Sequence, residues 1–221
     1  MLAKELISEV IPPLRTSDTG VVALNWMEVF RVSHLPIVNN SELLGLISDA
    51  DIYDMNTPEE PVGSHKLSLN RPYVYASQHI FDVISIFSIN KLTTLPVLNE
   101  KNEYQGLISL SDLLQKTAEI MAVDNKGGIL VLELNEKDYM LSQIAQIVES
   151  NDAKILSLYV FSPADSTKLE ITLKINRTDL SAIVQTFERF NYAIKASFSN
   201  NDLVDDLLNE RLDSFLKYLS I

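Results

Sequence analysis

The pentapeptide Leu35-Pro36-Ile37-Val38-Asn39 returns 60 positions later as Leu95-Pro96-Val97-Leu98-Asn99, and this recurrence decides how the first half of the chain is read. The same offset carries Arg31-Val32 onto Lys91-Leu92. At an offset of 61, Gly45-Leu46-Ile47-Ser48 lies on Gly106-Leu107-Ile108-Ser109, and Asp51-Ile52 lies on Asp112-Leu113. A fixed period of this size marks a duplicated structural unit. The extra residue of the second copy falls in the polar stretches 39–42 and 99–103, where a hairpin turn absorbs an insertion without disturbing its strands.

Each copy reads as helix, strand, turn, strand, helix. Val22, Trp26, Val29 and Phe30 follow Thr19 at the helical period, and Ile80, Val83, Ile84 and Phe87 follow Ser77 in the same way. Thr19 and Ser77 are the expected helix caps, because a side-chain oxygen there accepts an orphan backbone N–H. Pro36 and Pro96 end helical geometry and open short β-branched runs. Gly45 and Gly106 fall inside the return strands, where a missing Cβ permits a bulge or the close approach of a ligand. A last helix is expected after Ser48 and after Ser109.

Leu-Pro followed by two apolar residues, a turn, then Gly, two apolar residues and Ser-x-x-Asp, present twice in register, resembles the tandem CBS-domain pair. The resemblance covers residues 1–122, with copies at about 1–60 and 61–122. It implies an α/β module of two apposed copies with clefts that in many family members hold AMP, ATP or a related adenosyl ligand. By the same resemblance Ser48, Asp51, Ser109 and Asp112 are ligand contacts, with His34 and Thr94, just before each Leu-Pro, near the phosphate. Pro36 and Pro96 complete the expected nucleotide-binding set, and Arg31 and Lys91 reinforce it.

The chemistry is coherent. A strand ending at a helix start offers backbone N–H groups and a favourable dipole to an anion. A serine hydroxyl adds a donor, and an ionised aspartate accepts from the paired hydroxyls of a ribose. The competing reading is that Ser-x-x-Asp is a capping box that serves stability alone. Asp49 adds a second negative charge beside the first copy's site, whereas Leu110 is neutral, so one occupied cleft on Ser109 and Asp112 stands beside two occupied clefts.

Composition excludes several other functions. The 221 residues are 46% hydrophobic, enough for a substantial core. There is no cysteine, hence no disulfide, thiolate nucleophile or thiolate-bound metal. The three histidines, His34, His65 and His79, have no helical metal-ligand spacing. A net charge of −12 repels nucleic acid, and no basic stripe offsets it. No run of residues is long and apolar enough to span a membrane, and the amphipathic start of the chain is unlike a signal peptide, so the expected location is cytoplasmic.

Residues 123–127 read as a linker. Beyond it come a strand Gly128 to Leu134, a helix Tyr139 to Val148, strands Lys154 to Phe161 and Lys168 to Ile175, a helix capped by Thr178, and a strand Tyr192 to Phe198. This βαββαβ order is ferredoxin-like. Following a regulatory repeat pair, residues 128–200 resemble an ACT domain, and the combined order resembles the bacterial acetoin-utilisation accessory proteins. Amino-acid-binding ACT domains usually carry a Gly in the first strand-to-helix turn, where this chain has Tyr139, so the resemblance implies dimerisation ahead of amino-acid sensing. Residues 201–221 read as an amphipathic helix that needs a partner surface.

No nucleophile–base pair, paired carboxylate cleft or phosphate loop is present, so the chain is expected not to be an enzyme. The expectation is a regulatory homodimer with an unidentified protein partner. Its ligand would be AMP, ADP, ATP or S-adenosylmethionine, and its function energy sensing relayed through the dimer. The alternatives are a ligand-free interaction or dimerisation scaffold and an ACT-type amino-acid sensor.

Overall fold

A computed structural model of the chain describes residues 1–65, 69–163 and 167–199. The expected C-terminal helix lies outside the described residues. Two compact units divide at Thr117 and Ala118.

In the first unit, α1 (Gly20–Phe30) leads into the hairpin β1 (His34–Asn39) and β2 (Glu42–Ser48), followed by the short helix α2 (Asp49–Tyr53). The second copy repeats the pattern with β3 (Val74–Tyr75), α3 (Ile80–Asn90), β4 (Thr94–Leu98), β5 (Tyr104–Ser109) and α4 (Leu110–Ile120). The duplication is geometric as well as textual. Leu14 bridges Ile37 in parallel in the first copy, and Val74 pairs in parallel with Val97 in the second. Each hairpin has a register shift opposite its glycine, at Ile37/Val38 and at Val97/Leu98. Both helices end on a left-handed residue, Arg31 (φ 57°) and Lys91 (φ 51°).

Thr19 caps α1 by accepting the Val22 N–H at 3.3 Å. The cap of α3 is His79, whose Nδ1 accepts the Phe81 N–H at 3.3 Å, in place of the expected Ser77. Ser77 instead donates to Glu100. The repeat explains the difference, since the counterpart of Thr19 at the 60-residue offset is His79.

The leading segment of each copy crosses to the return strand of the other. Ser8 bridges Leu107 and Asn70 bridges Leu46. Ala3 and Leu6 are buried in the second copy's core with Ile80, Val83 and Leu95. Leu69 packs in the first copy's core with Leu35, Ile37 and Ile47. This exchange requires the two glycines. A Cβ on Gly45 would stand 2.5 Å from Leu69 Cβ, and one on Gly106 would stand 2.5 Å from Ile7 Cγ2. The close approach foreseen at these positions is therefore made by the chain itself.

In the second unit, β6 (Gly128–Asn135), α5 (Leu141–Glu149), β7 (Ile155–Phe161), β8 (Lys168–Ile175), α6 (Ser181–Arg189) and β9 (Ala193–Phe198) follow in the βαββαβ order. The antiparallel sheet is ordered β7-β8-β6-β9, so β8 lies between the strands joined by α5, as in ferredoxin-like folds. Leu169, Ile171, Leu173 and Ile175 alternate onto the buried face, where they meet Ile144 and Ile147 of α5 and Ile183 and Phe187 of α6. Thr178 does not cap α6. Its N-cap residue is Leu180, and Asp179 accepts the Ser181 N–H at 2.9 Å. That bond holds the Asp179 carboxyl below its ordinary value. Among the described residues no helix is long and apolar enough to cross a membrane.

Candidate functional site

A cleft of about 200 Å³ in the first unit is lined by His34, Leu46, Ser48 and Asp51 of the first copy and by Asn70, Pro72, Asn90 and Leu92 of the second. His34 opens β1, Leu46 and Ser48 lie on β2, and Asp51 lies on α2. The Leu46 N–H donates to the Asn70 carbonyl at 2.9 Å and ties the two copies together beside the cleft. Three residues singled out in the sequence, His34, Ser48 and Asp51, are thus brought to one concave surface.

The start of α2 is internally satisfied. Ser48 donates through both its N–H (2.8 Å) and its hydroxyl (2.7 Å) to Asp51 Oδ2. The Asp51 N–H returns to Ser48 Oγ at 3.1 Å, which completes a capping box. The Asp49 N–H donates to Ser33 O at 3.1 Å, and the Ala50 N–H to Asp49 Oδ1 at 2.8 Å. Asp51 Oδ1 has no hydrogen-bond partner among the described residues, and it is the acceptor that this arrangement leaves for a ligand.

His34 is held by the other copy. Its Nδ1 accepts the Thr93 N–H at 3.3 Å and lies 3.0 Å from the Thr93 hydroxyl. That hydroxyl accepts the Ser33 N–H at 2.9 Å, and the Thr94 hydroxyl donates to His34 O at 2.9 Å. Nδ1 therefore serves as an acceptor, which assigns the neutral ring with its proton on Nε2. Burial lowers the His34 pKa from 6.5, while Asp49 and Asp51 pull the other way.

Two of the three counterpart residues of the second copy are enclosed, and Asp112 is half-buried. Thr94 is 0% exposed and Ser109 is 1% exposed. The Ser109 hydroxyl bonds Asp112 Oδ2 at 2.7 Å and lies 2.8 Å from the Ser111 hydroxyl, and the Asp112 N–H returns to it at 3.0 Å. Of the two Ser-x-x-Asp segments, the first, beside Asp49, lines the cleft described above, and the second has its serine buried and its aspartate half-buried. Where the first cleft has Asn90, the repeat offers Phe30, which packs against the first copy's core.

Residues 5–55 and 66–119 match the family model of the CBS domain. The first unit is a tandem CBS-domain pair. Over 133 residues, 58% of this chain, the sequence is 27% identical to the inosine-5'-monophosphate dehydrogenase of Methanocaldococcus jannaschii, of which it covers 26%. Among solved structures, a CBS domain pair/ACT domain protein from Thermotoga maritima is 22% identical, with TM-score 0.48, covering 54% of this chain and 98% of that one. The CBSX2 protein in complex with AMP is 18% identical, with TM-score 0.46, covering 54% and 97%.

Other expected contacts of the CBS pair lie elsewhere. Arg31 lines a separate surface hollow with Asp49 and Tyr53. Lys91 is exposed at the end of α3. Pro36 and Pro96 are buried in β1 and β4, where Pro36 O accepts the Leu14 N–H at 2.8 Å. Sequence reading missed Leu46, Asn70, Pro72, Asn90 and Leu92. Pro72 did carry a signal, because it falls on Pro12 at the repeat offset. Among the described residues no three His, Asp or Glu side chains form a metal-binding group. The second unit has its own hollow of about 460 Å³, whose lining includes Asn135, Asp138, Gln143, Lys168 and Tyr192.

Proposed function

We propose that the CBS pair is a non-catalytic regulatory sensor that binds one adenosyl ligand, an adenine nucleotide or S-adenosylmethionine, in the cleft on His34, Ser48 and Asp51. The observation that carries this reading is that the cleft takes its walls from both copies. A ligand there bridges two bodies, and its binding energy favours whichever relative tilt of the copies fits it best. Leu46, Pro72 and Leu92 supply apolar surface for a base, and Asp51 supplies a ribose acceptor. Calorimetric titration with AMP, ADP, ATP and S-adenosylmethionine tests the proposal. Binding and a raised melting temperature are expected. A ligand at 100 times its Kd adds about 2.7 kcal/mol of stability. Absence of both heat and stabilisation at millimolar ligand contradicts the reading.

The closed capping box supports a second reading, a ligand-free assembly scaffold. Under it Asp51→Ala lowers stability and no ligand distinguishes the variant from the parent.

The second unit fits an ACT-type dimerisation domain through its βαββαβ order. On this reading the protein works in the cytoplasm as a homodimer with isologous contacts that relays the ligand state to a protein partner, without nucleic acid. Sedimentation at micromolar chain concentration should return twice the chain mass, and a monomer contradicts the relay. The hollow beside Asp138 and Gln143 supports amino-acid binding as the rival role, which titration with the common amino acids decides.

A further inference from the structure

Resting on that cleft reading, we propose that its ligand is a phosphate-free adenosine compound, either adenosine itself or an adenosyl sulfonium, and that nucleoside polyphosphates are disfavoured there.

A phosphate needs donors or cations, and the cleft offers few of either. The helix-start amides that would cradle it are already used. The N–H groups of Ser48, Asp49, Ala50 and Asp51 donate in turn to Asp51 Oδ2, Ser33 O, Asp49 Oδ1 and Ser48 Oγ. The Ser48 hydroxyl donates to Asp51 as well. Helix α2 has five residues, too short to present a substantial dipole. An incoming phosphate would have to break the cap, and would do so against the charges of Asp49 and Asp51.

The lining offers no compensation. Among the described residues that form the cleft wall there is no lysine or arginine. Arg31 belongs to a different hollow, and the exposed Lys91 side chain is not part of the wall although its neighbours Asn90 and Leu92 are. Among the described wall residues His34 is the only basic group, and its Nδ1 is engaged as an acceptor from Thr93, so it adds no positive charge near neutral pH. The wall carries one carboxylate, Asp51, and no described lysine or arginine, while Asp49 and Arg31 share the neighbouring hollow; such a wall attracts a sulfonium and repels a polyphosphate.

What the wall does offer suits the nucleoside. Asp51 Oδ1 can accept from ribose hydroxyls. The Asn70 and Asn90 amides match the mixed donors and acceptors of an adenine edge, and Leu46, Pro72 and Leu92 cover an aromatic face.

The test uses the intact chain in low salt at about pH 7.5, where an ordinary histidine is neutral. Adenosine, S-adenosylmethionine, AMP and ATP are titrated separately by calorimetry. The expected result is that adenosine, S-adenosylmethionine or both bind at least about tenfold more tightly than ATP, with AMP between. ATP or AMP binding as tightly as both phosphate-free ligands overturns this inference while leaving the sensor reading intact. No binding by any of the four overturns both. Asn90→Lys supplies the missing cation at an exposed position whose only described side-chain bond is to Ile86 O. In this variant the AMP-to-adenosine affinity ratio should rise at least about tenfold. An unchanged ratio in a variant that melts like the parent overturns the electrostatic argument.

Discussion

The His34 ring accepts the Thr93 backbone N–H at 3.3 Å, so a titratable side chain of one copy is anchored by the backbone of the other. Protonating Nδ1 would turn this acceptor into a donor facing another donor. The depressed pKa fixes the sign of the pH dependence: the unfolded chain takes up the proton at a higher pH than the folded one. The stability associated with neutral His34 is fully present above about pH 6.5 and is lost as pH falls towards the folded-state value. Urea unfolding between about pH 7.5 and 5.5 should show stability declining with acidification. His34→Gln should make that decline shallower. An identical pH slope in the two proteins removes His34 from the account.

The exchanged leading segments make a second prediction. Gly45→Ala and Gly106→Ala each drive a Cβ to within 2.5 Å of a packed side chain, Leu69 in one case and Ile7 in the other. Overpacking at such a contact costs about 1–3 kcal/mol. Gly45→Ala should be the worse, because the obstacle is the Leu69 Cβ, which moves only with its backbone. Chemical denaturation measures both, and a neutral outcome for Gly45→Ala would contradict the crossing at Asn70 and Leu46.

The two aspartates of the repeated Ser-x-x-Asp segments should separate stability from binding. Asp112→Ala leaves the buried Ser109 hydroxyl without its carboxylate and should cost about 1–3 kcal/mol while leaving ligand affinity unchanged. Asp51→Ala removes an exposed cap, worth about 0.5–2 kcal/mol, and should abolish measurable binding. Thermal melts with and without ligand on the same two variants check both halves of the statement.

Much of this architecture is legible from the sequence, for local reasons. The duplicated Leu-Pro and Gly-x-x-Ser segments predict the hairpins, and strict alternation from Leu169 to Ile175 predicts the buried face of β8. A serine or threonine close to a helix start is not always the residue that caps it. His79 occupies the cap that Ser77 was expected to fill, and Asp179 rather than Thr178 satisfies the start of α6. The candidate cleft was half visible. His34, Ser48 and Asp51 announce themselves by their place in the repeat, whereas Asn70 reaches it because the chain crosses between copies, and Asn90 and Leu92 line it from the end of the second copy's α3. That crossing is a tertiary event, and no periodicity reports it. The burial of Ser109 was hidden for the same reason, since its segment has the same local pattern as the open one.

The central claim is one ligand cleft per chain, on the first copy. Its most direct measurement is the calorimetric stoichiometry of the tightest-binding adenosyl ligand with the parent protein, Asp51→Ala and Asp112→Ala. The account predicts one site per chain in the parent and in Asp112→Ala, and none in Asp51→Ala. Two sites per chain, or a single site that survives Asp51→Ala and disappears in Asp112→Ala, would contradict it.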